Sequence, residues 1–241
     1  MIYCPALMYH RVVPAAEEPD GISVTQQAFA RHLGWLRRWG YQSVGAADLA
    51  GALEGARPLP RKPVLLTFDD GFRDNLTDAL PILRELGFNA LVFVVVELMG
   101  GRRTFGQAKG EPLLSGDQIR QMAAGGVEFG SHTLTHPHLA ALSEQETRRE
   151  IAESKKRLED TVGREVTALC YPFGECGPRE MELAQQAGYR CAFSTRRGNR
   201  HRRAERFRLS RVWTNEATTR RRLAYRLGWT YDCVSRLKRR V

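Results

Sequence analysis

Two adjacent carboxylates follow a short apolar run of the chain. Asp69 and Asp70 come directly after residues 64–68 and directly before Gly71. Neighbouring carboxylates at the end of a buried strand repel each other and are costly to desolvate, unless one binds a cation and the other is left to act as a base. The same residues are also common in turns. The pair therefore indicates either acid–base chemistry at a metal or a solvated turn.

Histidines are concentrated in one segment. Three of the six, His132, His136 and His138, follow a second apolar run at residues 127–130. The spacing of the first two predicts imidazoles on one face of a helical turn, a common arrangement of metal ligands, and His138 falls off that face. Adding Asp70 gives two histidines and a carboxylate with open positions, which is typical of a catalytic metal site. The alternative is that these histidines are structural.

A third polar cluster follows the apolar run that starts at Ala168. Residues 171–174 contain a proline and a glycine, which predict a tight turn. Backbone N–H groups in such a turn can face a developing oxyanion. By itself, however, the motif is more simply explained as an ordinary turn.

Short apolar runs of strand length alternate with longer segments of helical spacing. This pattern predicts βα units around a largely parallel sheet, whose strand ends meet at one edge, where α/β enzymes place their sites. We predict strands at residues 6–9, 64–68, 90–96, 127–130, 168–171, 190–194 and 207–213. We predict helices at about residues 25–40, 79–86, 115–125, 143–161 and 178–187, several of them with capping signals. No linker or repeat indicates a domain boundary before residue 195.

The formal net charge of +10 is carried by one end of the chain. Residues 1–195 hold 21 basic and 24 acidic residues, whereas residues 196–241 hold 16 basic and 3 acidic residues. A basic segment favours nucleic acid or an anionic membrane surface as a partner. The sequence has no zinc-finger spacing, aromatic RNA-binding motif or Gly-Lys phosphate loop, so we do not expect a nucleic-acid partner.

Residues 220–241 combine a basic face with an apolar one. Leu223, Leu227, Tyr231 and Val234 fall at spacings of three or four, and most of the arginines lie elsewhere. This pattern is typical of an interfacial helix that binds an anionic membrane. The alternative is an ordinary C-terminal helix that packs on the body of the protein and exposes its arginines.

The cysteines and the N-terminal residues favour a cytoplasmic protein. Five cysteines lack C-x-x-C spacing, and their odd number leaves at least one thiol free. The N-terminal residues do not look like a signal peptide. No apolar run reaches the roughly 18 residues that a spanning helix needs. We expect peripheral contact with the inner face of the membrane if the interfacial helix is correct.

The three motifs occur in the order found in a known family. Leu66–Gly71, Ser131–His136 and Tyr171–Gly174 together resemble the polysaccharide deacetylases, the NodB homology family of metal-dependent carbohydrate esterases. The similarity covers residues 1–215, which we predict to be the catalytic domain, and leaves residues 216–241 as a basic tail. The resemblance implies an α/β fold, a distorted (β/α) barrel of about seven strands related to the TIM barrel. It also implies hydrolysis of the N-acetyl group of an amino sugar of the N-acetylglucosamine type.

The resemblance implies roles for individual residues. Asp70, His132 and His136 would hold a divalent metal, with zinc expected and cobalt, nickel or iron(II) as alternatives. Asp69 would be the general base, and the Phe173 backbone N–H would help to hold the oxyanion. Further residues are expected on the substrate side of the site: Phe72, Tyr171, Pro172 and Arg211.

Two positions depart from the family pattern. Cys170 stands where members often have an arginine that orients the catalytic aspartate, and Arg211 stands where a late histidine supplies the general acid. The leaving amine still needs a proton, and we predict that His10 donates it. The alternatives are that His10 caps a strand and that Arg211 pairs with a carboxylate. The departures also leave open a non-catalytic carbohydrate-binding protein, or a membrane-associated deacylase of another small amide.

Overall fold

The computed structural model describes residues 1–14, 21–228, 230–232 and 235. The strands are β1 (Ile2–Tyr3), β2 (Ala6–Tyr9), β3 (Arg11–Val13), β4 (Ser23–Thr25), β5 (Gln42–Ser43), β6 (Pro63–Phe68), β7 (Leu91–Val94), β8 (Glu128–Ser131), β9 (Ala168–Cys170), β10 (Cys191–Arg197), β11 (Arg200–His201) and β12 (Leu209–Trp213). The α-helices are α1 (Gln26–Arg38), α2 (Ala46–Glu54), α3 (Leu80–Leu86), α4 (Gly116–Ala124), α5 (Glu144–Val162), α6 (Pro178–Gln186) and α7 (Arg220–Leu227). Short 3₁₀ or π turns lie at Asn75–Ala79, Val96–Leu98, Leu139–Ala141, Pro172–Gly174 and Arg203–Glu205.

Seven parallel strands close into a barrel. The order around the barrel is β2, β6, β7, β8, β9, β10 and β12, and β2 pairs with both β6 and β12 to close the circle. The closing register pairs Tyr9 with Phe68 on one side and Leu7 with Val212 on the other. The predicted barrel is confirmed, and the predicted strands differ from the observed ones only by a few residues at their ends.

Alternate residues of the barrel strands belong to two separate apolar clusters. Along β6, Leu65 packs in one cluster and Leu66 in the other, and Leu91 and Val92 of β7 repeat the alternation. Successive side chains of a strand point to opposite faces. The cluster that contains Leu65 and Leu91 therefore fills the barrel, and the cluster that contains Leu66, Val92 and Phe29 of α1 lies under the helices. Because both faces are buried, the strands have continuously apolar sequences rather than alternating ones.

Helix boundaries follow local signals in the sequence. The Ser115 and Ser143 hydroxyls accept hydrogen bonds from the backbone N–H groups of Gln118 and Glu146, whose side chains accept from the capping residues in return. Both capping boxes confirm the predicted helix starts. Helix α5 ends at Gly163, whose φ of 69° favours glycine.

Helix α2 was not predicted. Residues 46–54 are mostly alanine, glycine and leucine, so no polar stripe marks a helical period. Leu49 is buried in the cluster that fills the barrel, and the N–H groups of Ala46 and Ala47 donate to the Glu128 carboxylate of β8. Tertiary contacts therefore stabilise this helix in place of an amphipathic pattern.

The described part of the C-terminal segment packs on the barrel. Leu223 and Leu227 of α7 are 0% and 4% exposed, and the Tyr3 hydroxyl donates to the Leu227 carbonyl over 2.7 Å. Helix α1 contacts the same segment, because His32 Nε2 lies 3.1 Å from the Thr218 carbonyl oxygen. For α7, the structure therefore shows the packed alternative.

The rest of the predicted amphipathic helix lies largely outside the described residues, which end with 230–232 and 235. The division into a catalytic domain and a basic tail accordingly stays a prediction. No helix among the described residues is both long enough and apolar enough to cross a membrane.

We expect Leu223→Ala to lower the free energy of unfolding by about 2–5 kcal/mol, because it removes a buried side chain and leaves a cavity. Urea unfolding followed by circular dichroism measures the change. Arg221→Ala, on the exposed side of the same helix, is the matched control and should change stability by less than about 0.5 kcal/mol. Equal effects of the two substitutions would show that α7 is not docked in solution.

Candidate active site

The carboxyl ends of the barrel strands surround a cavity of about 390 Å³. Asp69 and Asp70 follow β6, His132 follows β8 and Tyr171 follows β9, so the three sequence motifs meet in one place. Most of the predicted site residues line this cavity: His10, Asp69, Asp70, His132, His136, Tyr171, Phe173 and Arg211.

Asp69 forms a bidentate ion pair with Arg211. Arg211 of β12 donates from Nη1 to Asp69 Oδ1 over 2.6 Å and from Nη2 to Oδ2 over 2.8 Å. The guanidinium is fully buried and also donates to the Ser194 carbonyl and the Thr67 hydroxyl. Burial alone pushes the pKa of Asp69 upward, but the Arg211 charge outweighs it and holds that pKa well below its ordinary range. Asp69 is therefore a carboxylate at neutral pH.

The two departures from the family pattern meet at this ion pair. The Cys170 sulfur lies 3.2 Å from Arg211 Nη2 and 3.8 Å from Asp69 Oδ1. Arg211 thus supplies, from another strand, the positive charge that the family pattern places at position 170. It forms the ion pair that we considered as the alternative to substrate binding, and its contact with substrate stays a prediction.

Asp70 divides its carboxylate oxygens between different partners. Oδ2 lies 3.0 Å from an Arg103 guanidinium nitrogen, while Oδ1 lies 3.6 Å from Nε2 of both His132 and His136. The φ of Asp70 is 71°, in the left-handed region that aspartate adopts more readily than most residues. An arginine therefore compensates one oxygen, and the other faces two imidazole nitrogens.

The two histidines do not lie on a helical turn, which corrects the prediction from their spacing. After β8 the chain forms an irregular loop in which Thr133 and His136 have φ values of 66° and 64°. The Thr133 hydroxyl accepts from the His136 N–H, and the Glu150 carboxylate of α5 accepts from the Leu134 N–H. This loop brings the His132 and His136 rings edge to face, with centroids 4.7 Å apart. Left-handed backbone, rather than helical periodicity, places both imidazoles beside Asp70.

Hydrogen bonding selects one tautomer of His132. Its Nδ1 lies 2.7 Å from the Cys170 carbonyl oxygen, which can only accept, so Nδ1 carries the proton and the Nε2 lone pair faces Asp70. Burial lowers the pKa of both His132 and His136, so both rings are neutral at neutral pH. Neutral imidazole is the form that binds metal ions.

Asp70, His132 and His136 fit a divalent metal. Their ligand atoms lie within 4.8 Å of one another, and all three residues are buried. Two imidazole nitrogens and a carboxylate oxygen are a common donor set for zinc and other first-row metals. Asp69, His132 and Cys170 lie equally close together, but Asp69 is bonded to Arg211, and burial raises the pKa of the Cys170 thiol and keeps it protonated. The first group is therefore the candidate metal site.

Phe173 forms an exposed wall of the cavity. Its side chain is 46% exposed, and its φ of 58° is again left-handed. Its ring meets the His136 ring at its edge and stacks on His138, with centroids 4.8 Å and 3.9 Å away. The predicted role of its backbone N–H stays a prediction.

Three other residues expected on the substrate side are buried. The Tyr171 hydroxyl donates to the Phe207 carbonyl over 3.0 Å, and Pro172 is buried next to it. Phe72 is fully buried with the Arg103 guanidinium 5.4 Å from its ring centre. Phe72 therefore packs against the Arg103 guanidinium, and its expected contact with substrate stays a prediction.

His10 lies beside Asp69 at the end of β2. Its Nε2 is 3.9 Å from Asp69 Oδ2, and its side chain is 21% exposed. The preceding residue, Tyr9, accepts a hydrogen bond from the Asp69 N–H through its carbonyl, which fixes the spacing of the two strand ends. A partly exposed imidazole on the cavity wall can exchange protons with solvent, as a general acid must. The assignment of His10 as the acid stays a prediction.

Arg103, Phe105 and Trp213 were not predicted to be at the site. The Arg103 guanidinium lies 4.5 Å from the Phe105 ring centre, and Phe105 stacks on His136 with centroids 3.9 Å apart. An arginine in a polar loop is ordinarily solvated, so the sequence carries no signal for Arg103. Trp213 is the last residue of a predicted strand. Its position at the carboxyl end of that strand was the sequence feature that could have indicated a place at the site.

The fold and the site define a barrel hydrolase with a buried carboxylate beside a candidate metal cluster. The polysaccharide deacetylase family model matches residues 56–192. YxkH of Bacillus subtilis (strain 168), whose name places it among the polysaccharide deacetylases, is 30% identical over 208 residues, which cover 86% of this chain and 70% of that protein. The chain belongs to the polysaccharide deacetylase family, and it is a carbohydrate N-deacetylase.

Two further similarities agree with this assignment. The poly-beta-1,6-N-acetyl-D-glucosamine N-deacetylase of Escherichia coli (strain K12) is 38% identical over 86 residues, which cover 36% of this chain and 13% of that enzyme. The Streptococcus pyogenes deacetylase PplD, solved in complex with acetate, has a TM-score of 0.83 at 25% identity and covers 94% of this chain and 99% of its own. The second match extends over nearly the whole barrel.

We expect Arg211→Met to destabilise the fold by about 3–5 kcal/mol at neutral pH, because it leaves a buried carboxylate without its partner. The loss should shrink as the pH falls, since the pKa of Asp69 rises in the variant and protonation removes the unpaired charge. Urea unfolding at a series of pH values measures both effects.

The double variant Asp69→Asn with Arg211→Met is the matched control. Without a carboxylate to compensate, the loss of the guanidinium should cost much less than it does in the native background. Strictly additive losses from the two single substitutions would contradict the proposed coupling.

Proposed function

We propose that this protein removes the N-acetyl group from an amino sugar of the N-acetylglucosamine type in a polysaccharide, oligosaccharide or glycolipid. The observation that carries the proposal is the ionised Asp69 beside the cluster of Asp70, His132 and His136 in one cavity. The Escherichia coli relative, named as a deacetylase of such a polymer, supports the substrate class. Water adds to the acyl carbon, the C–N bond breaks, and acetate and a free amine are released.

Zinc is the metal expected at the cluster, with cobalt, nickel and iron(II) as alternatives. A divalent metal would supply Lewis acidity to the acetamide carbonyl and to water. Asp70 would contribute Oδ1, since Arg103 pairs with the other oxygen. His132 would contribute Nε2, because the Cys170 carbonyl holds the proton on Nδ1.

Asp69 would take the proton from the attacking water. Arg211 donates one hydrogen bond to each carboxylate oxygen of Asp69, so a lone pair on each oxygen remains able to accept a proton. The same ion pair keeps Asp69 ionised, which is the form that can accept a proton. His10, whose Nε2 lies 3.9 Å from Asp69 Oδ2, would protonate the leaving amine nitrogen. The Phe173 backbone N–H would hold the oxyanion.

The alternative of a non-catalytic carbohydrate-binding protein loses support at this site. A decayed site would not need a buried, compensated Asp69 or two neutral histidines facing Asp70. A cytoplasmic location and contact with an anionic membrane surface stay predictions from the sequence.

We expect the purified protein loaded with Zn²⁺ to release acetate from N-acetylglucosamine oligomers, and we expect a chelator to stop the release until Zn²⁺ is added back. Acetate formation and metal content are the measurements. His136→Ala should lose the metal, whereas His138→Ala should retain it, because the His138 side chain is 60% exposed and lies outside the cluster. Bound metal without release from any N-acetylated sugar would support the carbohydrate-binding alternative.

His10→Ala should lower kcat by about 100-fold, because the amine then leaves without a proton donor. Metal content should not change, since His10 lies outside the ligand cluster. The loss should be smaller for an activated anilide, whose amine is a better leaving group and needs less acid assistance. Near-native turnover of His10→Ala, with His132→Ala inactive, would rule out His10 as the acid.

A further inference from the structure

A cationic and aromatic group lines the same cavity and has no part in the proposed reaction. Arg197, Trp213 and Arg226 form this group, which we call the Trp213 cluster. The Arg197 guanidinium lies 5.6 Å from the Trp213 ring centre, and Arg226 donates to the Trp213 carbonyl. The three residues therefore lie next to one another in the lining of the cavity.

The Trp213 ring is held by a hydrogen bond although it is 42% exposed. Its indole N–H donates to the Thr195 carbonyl over 3.2 Å, and the Thr195 hydroxyl donates to the Phe173 carbonyl over 3.2 Å. Thr195 therefore links the Trp213 ring to Phe173, which lies beside the candidate metal site. A fixed aromatic face that is open to a polar cavity suits stacking against the apolar face of a sugar ring.

Within the part of the chain that the structure describes, no carboxylate compensates the two arginines of the cluster. Among the described residues neither Arg197 nor Arg226 forms an ion pair with a carboxylate, whereas Arg103 and Arg211 of the same cavity each do. Arg226 is half-buried, and burial together with the charges of Arg197 and Arg222 lowers its pKa. Adjacent cations in a partly desolvated site are stabilised when an anion binds between them.

We propose that the Trp213 cluster binds an anionic group, a phosphate or a carboxylate, on the sugar unit next to the one that is deacetylated. Arg197 and Arg226 would hold the anion through charge-assisted hydrogen bonds, and Trp213 would stack on the ring that carries it. The inference rests on the proposed function, because it requires the acetamide to lie at Asp69. The substrate class is then an acidic N-acetylated glycan rather than a neutral homopolymer.

Three probes test the inference on the native enzyme. They are a neutral N-acetylglucosamine tetramer, an oligosaccharide that alternates N-acetylglucosamine with glucuronate, and an N-acetylglucosamine phosphodiester. We expect kcat/KM to be at least about 10-fold higher for one of the acidic probes than for the neutral one, and the advantage to shrink with added salt. The better of the two acidic probes identifies carboxylate or phosphate as the group. Equal or better turnover of the neutral tetramer would overturn the proposal.

Arg197→Gln and Arg226→Gln test the residues. Each should raise KM for the preferred acidic probe about 10-fold, leave its kcat nearly unchanged, and change KM for the neutral tetramer far less. Arg221→Gln, on the exposed side of α7, is the matched control and should change nothing. Arg197→Gln keeps the Arg226 bond to the Trp213 backbone, so it remains informative if Arg226→Gln disturbs the fold. Equal losses on acidic and neutral probes would contradict an anion site.

Failure of the proposed function can be told apart from failure of this inference. If no probe releases acetate, the proposed function fails. Calorimetric binding of the acidic and neutral probes to the native chain then still tests the Trp213 cluster. Tighter binding of an acidic probe that is lost in Arg197→Gln supports the anion site, and equal binding of all probes refutes it.

Discussion

A buried ion pair between Arg211 and Asp69 is the contact on which the site depends. It joins β12 to β6 across the barrel, and the two residues are separated by 142 positions in the chain. Burying both charges costs free energy, which is recovered only where geometry is good and the remaining donors are satisfied. Both conditions are met, because the guanidinium contacts both carboxylate oxygens and also bonds Ser194 and Thr67. The result is a carboxylate that stays ionised in a closed environment and faces the cavity.

The backbone around the cavity adopts conformations that are uncommon for residues other than glycine. Four of the five non-glycine residues with positive φ among the described residues belong to the site: Asp70, Thr133, His136 and Phe173. Such conformations are costly and persist where the surrounding structure holds them in place. They turn the chain sharply at three strand ends, and this brings one carboxylate and two imidazoles within reach of a single ion. The barrel strands fix the positions of the loops, and the residues with left-handed backbone orient the candidate metal ligands.

The positive charge of the chain is a local property with a structural use. The arginines of the last 46 residues lie in several settings. Arg211 compensates the proposed base, Arg197 and Arg226 line the cavity, and the arginines at the start of α7 are exposed. In the cavity, Arg197 and Arg226 line one wall, and Asp69 and Asp70 lie at the centre. Positive and negative charges therefore occupy different parts of one site. This arrangement favours a substrate with an uncharged acetamide and a negative neighbour.

Local patterns in the sequence determined the barrel strands, most of the helix starts and the three motifs, because capping, apolar runs and turn residues act over a few positions. They also determined that Asp69, Asp70, His132 and His136 would meet, since parallel strand ends share one edge of a sheet. Only the tertiary structure decided which partners those residues have. The pairing of Asp69 with Arg211, the contact of Arg103 with Asp70, and the burial of Phe72 and α2 arise between distant segments. Such contacts follow from closure of the barrel, and no periodicity or spacing within one segment encodes them.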